Sequence, residues 1–434
     1  MAAAAPPRAP ADSAAPARTY LPTLILLASL FFMWGFATVL NNTLLPHLRA
    51  VFDLNYTQTT LIESVWFIAY FVASIPSAWL IEAVGYKRSM VTGLMIMAGG
   101  AVLMIPAAAI PSYNLVLVAA FIIAGGITLL QVAANPYVAV VGPPETSSSR
   151  LNLVQAFNSV GTTLAPRFGA WLILSRSRSG ASVNGAAGMT HAQRLADAHS
   201  VELPYLLIAI VLAALAVVIA LYRLPELSGA TRREKSGWLP PAALFRHRNL
   251  VFGIPAIFIY LIAEIGCANL FINFVCQPQI SRLSHADAGN YLTLLWGGMM
   301  VGRFAGGFLM RYVAPERMLA FASVGAFAVM LLTSFVHGPV AMWALISVGL
   351  FHSIMFPTIF TLGIKGLGPL TDEGSGLLIM AIAGGALVIL QGKIADHFGL
   401  QISFLLPAAC ELYVLFYALW GSRPTAEAAP VTAV

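Results

Sequence analysis

Twelve stretches of predominantly apolar residues follow one another along this chain, and each is long enough to cross a lipid bilayer. About twenty apolar residues in an α-helix span the hydrocarbon core of a membrane. This pattern predicts an all-α membrane protein with twelve transmembrane helices. The stretches lie at roughly 21–48, 58–82, 88–109, 114–141, 150–175, 202–223, 250–277, 287–312, 317–336, 340–367, 373–393 and 401–421.

The low charge content excludes a soluble globular domain. Only 9% of the 434 residues are charged and 59% are hydrophobic, whereas soluble domains carry about 25% charged residues. The positive net charge of +6 is concentrated in short connections between the apolar stretches, which indicates membrane topology rather than a nucleic-acid partner. The sequence shows no nucleophile–base constellation and no metal motif, so it predicts neither an enzyme nor a resident cofactor.

The distribution of Lys and Arg predicts that both termini lie in the cytoplasm. With the N-terminus inside, the inner segments hold fifteen of these residues and the outer segments hold six, and cytoplasmic loops are enriched in them. The predicted organisation is a disordered cytoplasmic tail at 1–20, a six-helix bundle at 21–223, a basic cytoplasmic linker at 224–249, a second six-helix bundle at 250–421 and a cytoplasmic tail at 422–434.

A short motif recurs in the two predicted bundles. Residues 134–142 read ANPYVAVVG and residues 355–363 read MFPTIFTLG, so a proline is followed six residues later by glycine in both, at an offset of 221 residues. Such internal repeats are typical of secondary transporters, whose substrate site lies near the membrane midplane between the halves. At this offset Gln131 and His352 are equivalent, which predicts that both line a central cavity.

Amide side chains inside the apolar stretches mark this predicted cavity, because a polar group in hydrocarbon is costly unless it has a partner or faces water. A hexose presents hydroxyls that donate and accept hydrogen bonds, as amides do, and its apolar faces pack on aromatic rings. The pattern therefore favours recognition of a sugar. The predicted substrate-binding residues are Gln131, Asn135, Gln155, Asn158, Asn42, Asn273, Trp296 and His352.

Five charged residues also lie within the apolar stretches, and charges there mark functional sites or buried pairs. They are Glu63, Glu264, Glu411, Arg167 and Arg303. Glu264 shares a helix face with Tyr260, which favours a place in the cavity lining. Arg303 is interpreted as a structural residue that forms an ion pair or a helix cap near the cytoplasmic end of its span. The roles of Glu411 and Arg167 stay open.

Four segments carry a family resemblance. They read FFMWGFATVLNNTLLPHL, LLQVAANPYVAVVGPPE, RLNLVQAFNSVGTTLAP and FPTIFTLGIKGLG. Together they resemble the fucose–galactose–glucose symporter family of the major facilitator superfamily, over residues from about 24 to 420. The resemblance implies two six-helix bundles, related by a pseudo-two-fold axis, that rock about a central site in a bacterial inner membrane. It also implies that Gln155 and Asn158 line the sugar cavity.

The sequence departs from this family's pattern at two acidic positions. The bacterial L-fucose permease that typifies the family has an Asp in the first span and a Glu in the fourth, both tied to substrate binding or proton movement. Here these positions are Asn42 and Gln131, and an amide does not exchange a proton in the physiological range. Glu63 and Glu264 are therefore the predicted ion-coupling residues. If the ion is Na⁺, Asn42 is a further ligand beside Glu63, because hard cations prefer such oxygens.

The predicted function is symport of a monosaccharide with H⁺ or Na⁺ by alternating access. The sugar is a hexose such as glucose, galactose or fucose, or an N-acetylhexosamine, and the predicted partners are this sugar and the bilayer, with the chain working as a monomer. Two alternatives stay open: an uncoupled sugar facilitator, and a drug or lipid efflux antiporter. The residues distinguish neither sugar epimers nor H⁺ from Na⁺.

Overall fold

The computed structural model describes residues 20–52, 56–109, 112–174, 202–225 and 242–424. The side chains at 40–52, 56–63, 108–109, 166–167, 169–174 and 285–286 lie outside that description. The predicted N-terminal tail, the basic centre of the linker and most of the C-terminal tail therefore lie outside the described residues. So do the side chains of Asn42, Glu63 and Arg167.

Helices make up almost all of the described chain. The first six are α1 (Leu21–Phe52), α2 (Tyr56–Val84), α3 (Tyr86–Ala109), α4 (Tyr113–Val140), α5 (Ser147–Leu174) and α6 (Glu202–Leu221). The second six are α7 (Arg248–Asn269, then Phe271–Val275), α8 (His285–Leu309), α9 (Pro315–Phe335), α10 (Pro339–His352, then Met355–Ile364), α11 (Thr371–Met380, a 3-10 segment Ala381–Val388, then Ile389–Phe398) and α12 (Leu405–Phe416, then a π-helical turn Tyr417–Gly421).

Within the described residues, eleven of these helices are long and apolar enough to cross a membrane. The exception is α5, whose first half carries the polar stripe of Asn152, Gln155 and Ser159. These three side chains are all buried, so neighbouring helices shield them from lipid. The side chains in the second half of α5, at 166–167 and 169–174, lie outside the described residues, and α5 packs on α1 and α8 beside the other helices. The predicted all-α membrane fold with twelve helices is confirmed.

The helices pack as two groups of six, the N-terminal half (α1–α6) and the C-terminal half (α7–α12). In the N-terminal half α1 packs on α5, α3 packs on α4 and α6, and α2 packs on α4. In the C-terminal half α7 packs on α10, α11 and α12, while α9 packs on α10 and α12. The halves meet where α2 contacts α11 and where α5 contacts α8. A two-fold axis that maps each half onto the other converts the α2–α11 contact into the α8–α5 contact. These two contacts are therefore the pair that two duplicated halves related by such an axis form.

Close packing of α1 against α5 depends on glycine. A Cβ atom added at Gly161 would lie 2.3 Å from the backbone oxygen of Phe32, and one added at Gly35 would lie 2.5 Å from the Asn158 side chain. Small residues let the backbones of membrane helices approach one another in this way. The two glycines therefore fix the distance between α1 and α5, and with it the position of Asn158.

We expect Gly161→Ala to destabilise the protein by about 1–3 kcal/mol, the usual cost of overpacking a well-packed interior. The added methyl group meets a backbone carbonyl, which cannot move aside like a flexible side chain. Thermal unfolding of the detergent-solubilised protein measures the effect. Gly125→Ala is the matched control, because a Cβ at Gly125 meets nothing within 4 Å. Equal unfolding temperatures for the two variants would contradict this account of the helix contact.

Candidate functional site

The amide of Gln131 lies inside the N-terminal half, between α4 and α2. Its Nε2 atom donates a hydrogen bond of 2.6 Å to the hydroxyl oxygen of Tyr70, and both side chains are buried. A buried amide needs such partners because an unpaired polar group costs free energy away from water. Gln131 therefore belongs to a polar cluster of the protein interior and does not face lipid.

Two amides of α5 extend this cluster towards α4 and α1. Gln155 donates from Nε2 to Oδ1 of Asn135 at 3.3 Å, and Asn158 donates from Nδ2 to the backbone oxygen of Phe31 at 2.9 Å. Asn135 is fully buried, and its Nδ2 atom has no hydrogen-bond partner among the described residues. We call Gln131, Asn135, Gln155 and Asn158 the amide cluster. It keeps one unused donor, which is what a site for a hydroxyl-bearing ligand requires.

An aromatic wall accompanies the amide cluster. Trp34 and Tyr70 are buried, and the rings of Trp34 and Phe31 lie 4.6 Å apart. Asn158 packs directly against Gly35, the residue after Trp34. Aromatic rings beside amides suit a ligand that combines hydroxyls with apolar faces. The hydrogen bond between Tyr70 on α2 and Gln131 on α4 is a tertiary contact, which the sequence alone did not give.

Four predicted site residues of the C-terminal half occupy different surroundings. Glu264 is half-buried and lies four residues after Tyr260 on the same helix face. Trp296 is half-buried, and Asn273 is exposed on the short helix Phe271–Val275. His352 is buried inside its own half. Of the predicted substrate-binding residues, the structure brings together the four amides of the amide cluster, while the hydrogen bonds described for His352 lie within the C-terminal half.

His352 pairs with Glu411, a partner that the sequence did not reveal. Its Nε2 atom lies 2.8 Å from Oε1 of Glu411 on α12, and both side chains are almost fully buried. The imidazole ring packs edge-on against Tyr260, with ring centres 5.5 Å apart. The backbone oxygen of His352 accepts a hydrogen bond of 3.0 Å from the Tyr260 hydroxyl. A buried acid–histidine pair thus joins α10, α12 and α7.

The two repeat-related prolines each free a backbone carbonyl at the boundary between the halves. Proline has no N–H group and cannot bond the carbonyl four residues before it. Pro136 thus frees the carbonyl of Val132, which accepts a 3.0 Å hydrogen bond from the Ser375 hydroxyl of α11. The partner of the freed carbonyl comes from the opposite half. A repeated proline therefore supplies a polar contact point between α4 and α11.

Pro357 does the same in α10, which breaks after His352. The freed carbonyl of Ser353 accepts a 3.0 Å hydrogen bond from Nε of Arg303 on α8. The same guanidinium donates from Nη1 to the hydroxyl oxygen of Ser159 on α5, at 2.6 Å. Arg303 therefore bridges the break in α10 to the N-terminal half. The prolines were the sequence signal for both contacts, although the sequence alone did not give their partners.

Two further hydrogen bonds join the halves at the end of the bundle where the linker and the short turns after α2, α4 and α10 lie. We call this end of the bundle the linker end. The Tyr86 hydroxyl donates to Oδ1 of Asp372, and the hydroxyls of Ser148 and Thr361 are hydrogen-bonded at 2.6 Å. Each bond joins one half to the other. The described contacts thus close the linker end.

The chain is similar in sequence and in fold to known transporters. Residues 25–388 match the sequence profile of the Major Facilitator Superfamily. A glucose/galactose transporter of Brucella abortus is 45% identical over 406 residues, covering 92% of this chain and 94% of that protein. The L-fucose-proton symporter of Escherichia coli is 37% identical over 427 residues, covering 96% and 97%. The solved structure of the transporter FucP in the outward conformation matches with a TM-score of 0.86 and 35% identity, over 94% of this chain and all of that one.

Proposed function

We propose, from the premise that this chain belongs to the Major Facilitator Superfamily, that it carries a monosaccharide into the cell together with a cation by alternating access. The amide cluster is the observation that carries the proposal. It places four buried amides and an unused donor beside aromatic rings. A hexose is a ligand of this chemistry, because its hydroxyls both donate and accept hydrogen bonds.

Glucose or galactose is the substrate that the comparisons favour. The relative that shares 45% of its residues with this chain is named for these two sugars. The L-fucose-proton symporter matches at lower identity, and the acids that typify that permease are replaced here by Asn42 and Gln131. An amide at Gln131 binds a hydroxyl without titrating, so substrate binding at this position carries no proton. Fucose and N-acetylhexosamines serve as the comparison sugars.

Transport requires that the two ends of the bundle open in turn. If the linker end faces the cytoplasm, as the Lys and Arg distribution predicts, the contacts Tyr86–Asp372 and Ser148–Thr361 close the cytoplasmic side. Entry of sugar into the cell then needs these bonds to break while contacts form at the opposite end. Because one chain contains both halves and the sugar site, a monomer suffices for this cycle. The bilayer in question is the bacterial inner membrane.

Coupling needs an ion-binding group within the membrane. The sequence predicts the carboxyl groups of Glu63 and Glu264 for this role, with Asn42 as an oxygen ligand if the ion is Na⁺. Glu264 is half-buried beside Tyr260. The relation to a proton symporter supports H⁺ as the first ion to test.

Uptake into proteoliposomes tests the proposal. The purified protein is reconstituted, and uptake of glucose, galactose, fucose and N-acetylglucosamine is measured with an inward pH gradient, an inward Na⁺ gradient or no gradient. We expect glucose or galactose to accumulate above its external concentration under one of the two gradients. Equilibration without accumulation under every gradient would identify an uncoupled facilitator. Failure to carry any of these sugars, by uptake and by counterflow, would reject the proposed substrate class.

A further inference from the structure

The buried pair His352–Glu411 lies in the C-terminal half, outside the amide cluster, and it is an ionisable pair in the membrane interior. We propose that this pair binds and releases the coupling proton, and that its protonation reaches the sugar site through the break in α10 and Arg303. The inference rests on the proposed cation symport and names its ion and its binding site.

The hydrogen bonding of Glu411 suits a group that carries a proton in this conformation. Its Oε1 atom faces Nε2 of His352 at 2.8 Å, but its Oε2 atom is buried without a hydrogen-bond partner among the described residues. An ionised carboxylate can accept about four hydrogen bonds, and leaving a buried charge so poorly paired is costly. A proton shared by the acid and the imidazole removes the net charge from the pair.

The proposed step moves one proton and no other atom. In the empty state a carboxylate of Glu411 accepts from neutral His352, and the pair carries one negative charge. Uptake of H⁺ forms either a new N–H bond on the imidazole or a new O–H bond on the acid, and the pair becomes neutral overall. Release on the other side of the membrane reverses the step. Nothing is oxidised or reduced, and the proton gradient supplies the proton.

The groups around the pair favour a proton over a metal cation. The charged and titratable neighbours are Tyr260, Glu264 and Cys267 on α7, Arg303 on α8 and Cys410 beside Glu411 on α12. Helix α9 packs on both α10 and α12, but its own charged residues, Glu316 and Arg317, lie in its first turn at the linker end. Among the described residues, no group of three or more His, Cys, Asp or Glu side chains is placed to hold a metal ion, and an imidazole and two thiols are not the oxygen ligands that hard cations prefer.

A continuous set of contacts leads from the pair to the sugar site. The residue after His352 is Ser353, whose carbonyl accepts from Arg303 at 3.0 Å. Arg303 donates to the Ser159 hydroxyl, which in turn lies 3.4 Å from the backbone oxygen of Gln155 in the amide cluster. A change of charge at His352 therefore acts on the segment that holds the two halves together. Proton binding and sugar binding can each bias the same movement, which is what coupling between two sites requires.

Transport by Glu411→Gln in proteoliposomes tests the inference. The probe is whichever of glucose, galactose, fucose or N-acetylglucosamine the wild type carries. Three quantities are measured: accumulation under an inward pH gradient, sugar counterflow without a gradient, and sugar-dependent acidification of the lumen reported by a trapped pH-sensitive dye. We expect Glu411→Gln to keep counterflow, to lose accumulation and to lose acidification. His352→Gln should behave in the same way. Glu316→Gln is the matched control, because Glu316 pairs with Lys365 at 3.5 Å outside the buried pair.

Each outcome decides between the alternatives. Accumulation of sugar by Glu411→Gln to the wild-type level would overturn the inference. Accumulation by the wild-type protein with Na⁺ alone would also overturn it, although cation symport would then stand. A wild type that carries sugar but accumulates it with neither ion would overturn the inference together with the coupled function. If Glu411→Gln loses counterflow through misfolding, His352→Gln, which retains the carboxyl group, decides by the same criteria.

Discussion

Replacing Gln131 with alanine should weaken binding of the transported sugar about 5- to 150-fold, the equivalent of losing one partner in a buried polar site. Gln131 is held by the Tyr70 hydroxyl at 2.6 Å and is almost fully buried. The substitution removes a group able both to donate to and to accept from a sugar hydroxyl, and it leaves the Tyr70 hydroxyl without its amide. Competition between labelled and unlabelled sugar in counterflow measures the change in apparent affinity.

Thr128→Ala provides the control for Gln131→Ala. Thr128 is buried on the same helix, but its hydroxyl is already satisfied by the carbonyl of Ala124 within the helix, at 2.8 Å. Its loss should leave sugar affinity unchanged. Tyr70→Phe tests the partner, and a smaller loss than in Gln131→Ala is expected because the amide remains. Unchanged affinity of Gln131→Ala for every transported sugar would remove this residue from the site.

The sequence was sufficient for the fold because the membrane imposes strong local rules. Every spanning segment must satisfy its backbone hydrogen bonds internally and must be long enough to cross the hydrocarbon core. Those rules act on composition and length, which can be read along the chain. The polar stripe of α5 illustrates the same logic, since side chains such as Asn152 and Gln155 could not face lipid, and both are buried.

The partners of these side chains could not be predicted, because they come from distant parts of the sequence. Glu411 has no polar neighbour at helical spacing, so only the packing of α12 on α10 reveals that it faces His352. Arg303 was interpreted as a structural cap or gate-side pair, and it does cap the freed carbonyl of Ser353. Its second bond, to Ser159 in the other half, depends on how the halves meet. The His352 ring faces Glu411. That His352 also lines the cavity stays a prediction.

The prolines show how one local rule yields two different contacts. The freed carbonyls of Val132 and Ser353 occupy equivalent positions in the repeat, at an offset of 221 residues. One is satisfied by the neutral hydroxyl of Ser375 and the other by the charged guanidinium of Arg303. Hydrogen bonds that involve a charged group are roughly twice as strong as neutral ones. The Arg303–Ser353 bond lies within the C-terminal half, but the same guanidinium also donates to Ser159 of the N-terminal half. This charged bond across the halves should contribute more to holding them in this state than the neutral bond between Ser375 and Val132.

Arg303→Ala is accordingly expected to shift the equilibrium between conformations roughly 10- to 150-fold away from the state with a closed linker end. The estimate corresponds to the loss of a hydrogen bond to a charged group, about 1.5–3 kcal/mol. The substitution leaves the Ser353 carbonyl unpaired and removes the bridge to Ser159. Labelling of Thr361→Cys by a membrane-impermeant maleimide, added from the linker side, reports opening. Thr361 is buried beside Ser148 in the closed state.

Two further variants separate the bridge from the charge. Arg303→Lys keeps the charge, but an ammonium group cannot present the fixed fork that reaches Ser353 and Ser159 together, so labelling should still rise. Arg311→Ala removes an exposed guanidinium just beyond the end of the same helix and should leave labelling unchanged. Equal labelling rates in the Arg303→Ala and wild-type backgrounds would mean that the bridge does not hold the halves together. Faster labelling together with slower sugar uptake would place Arg303 in the step that closes the linker end. A carrier that cannot close one end cannot complete its transport cycle.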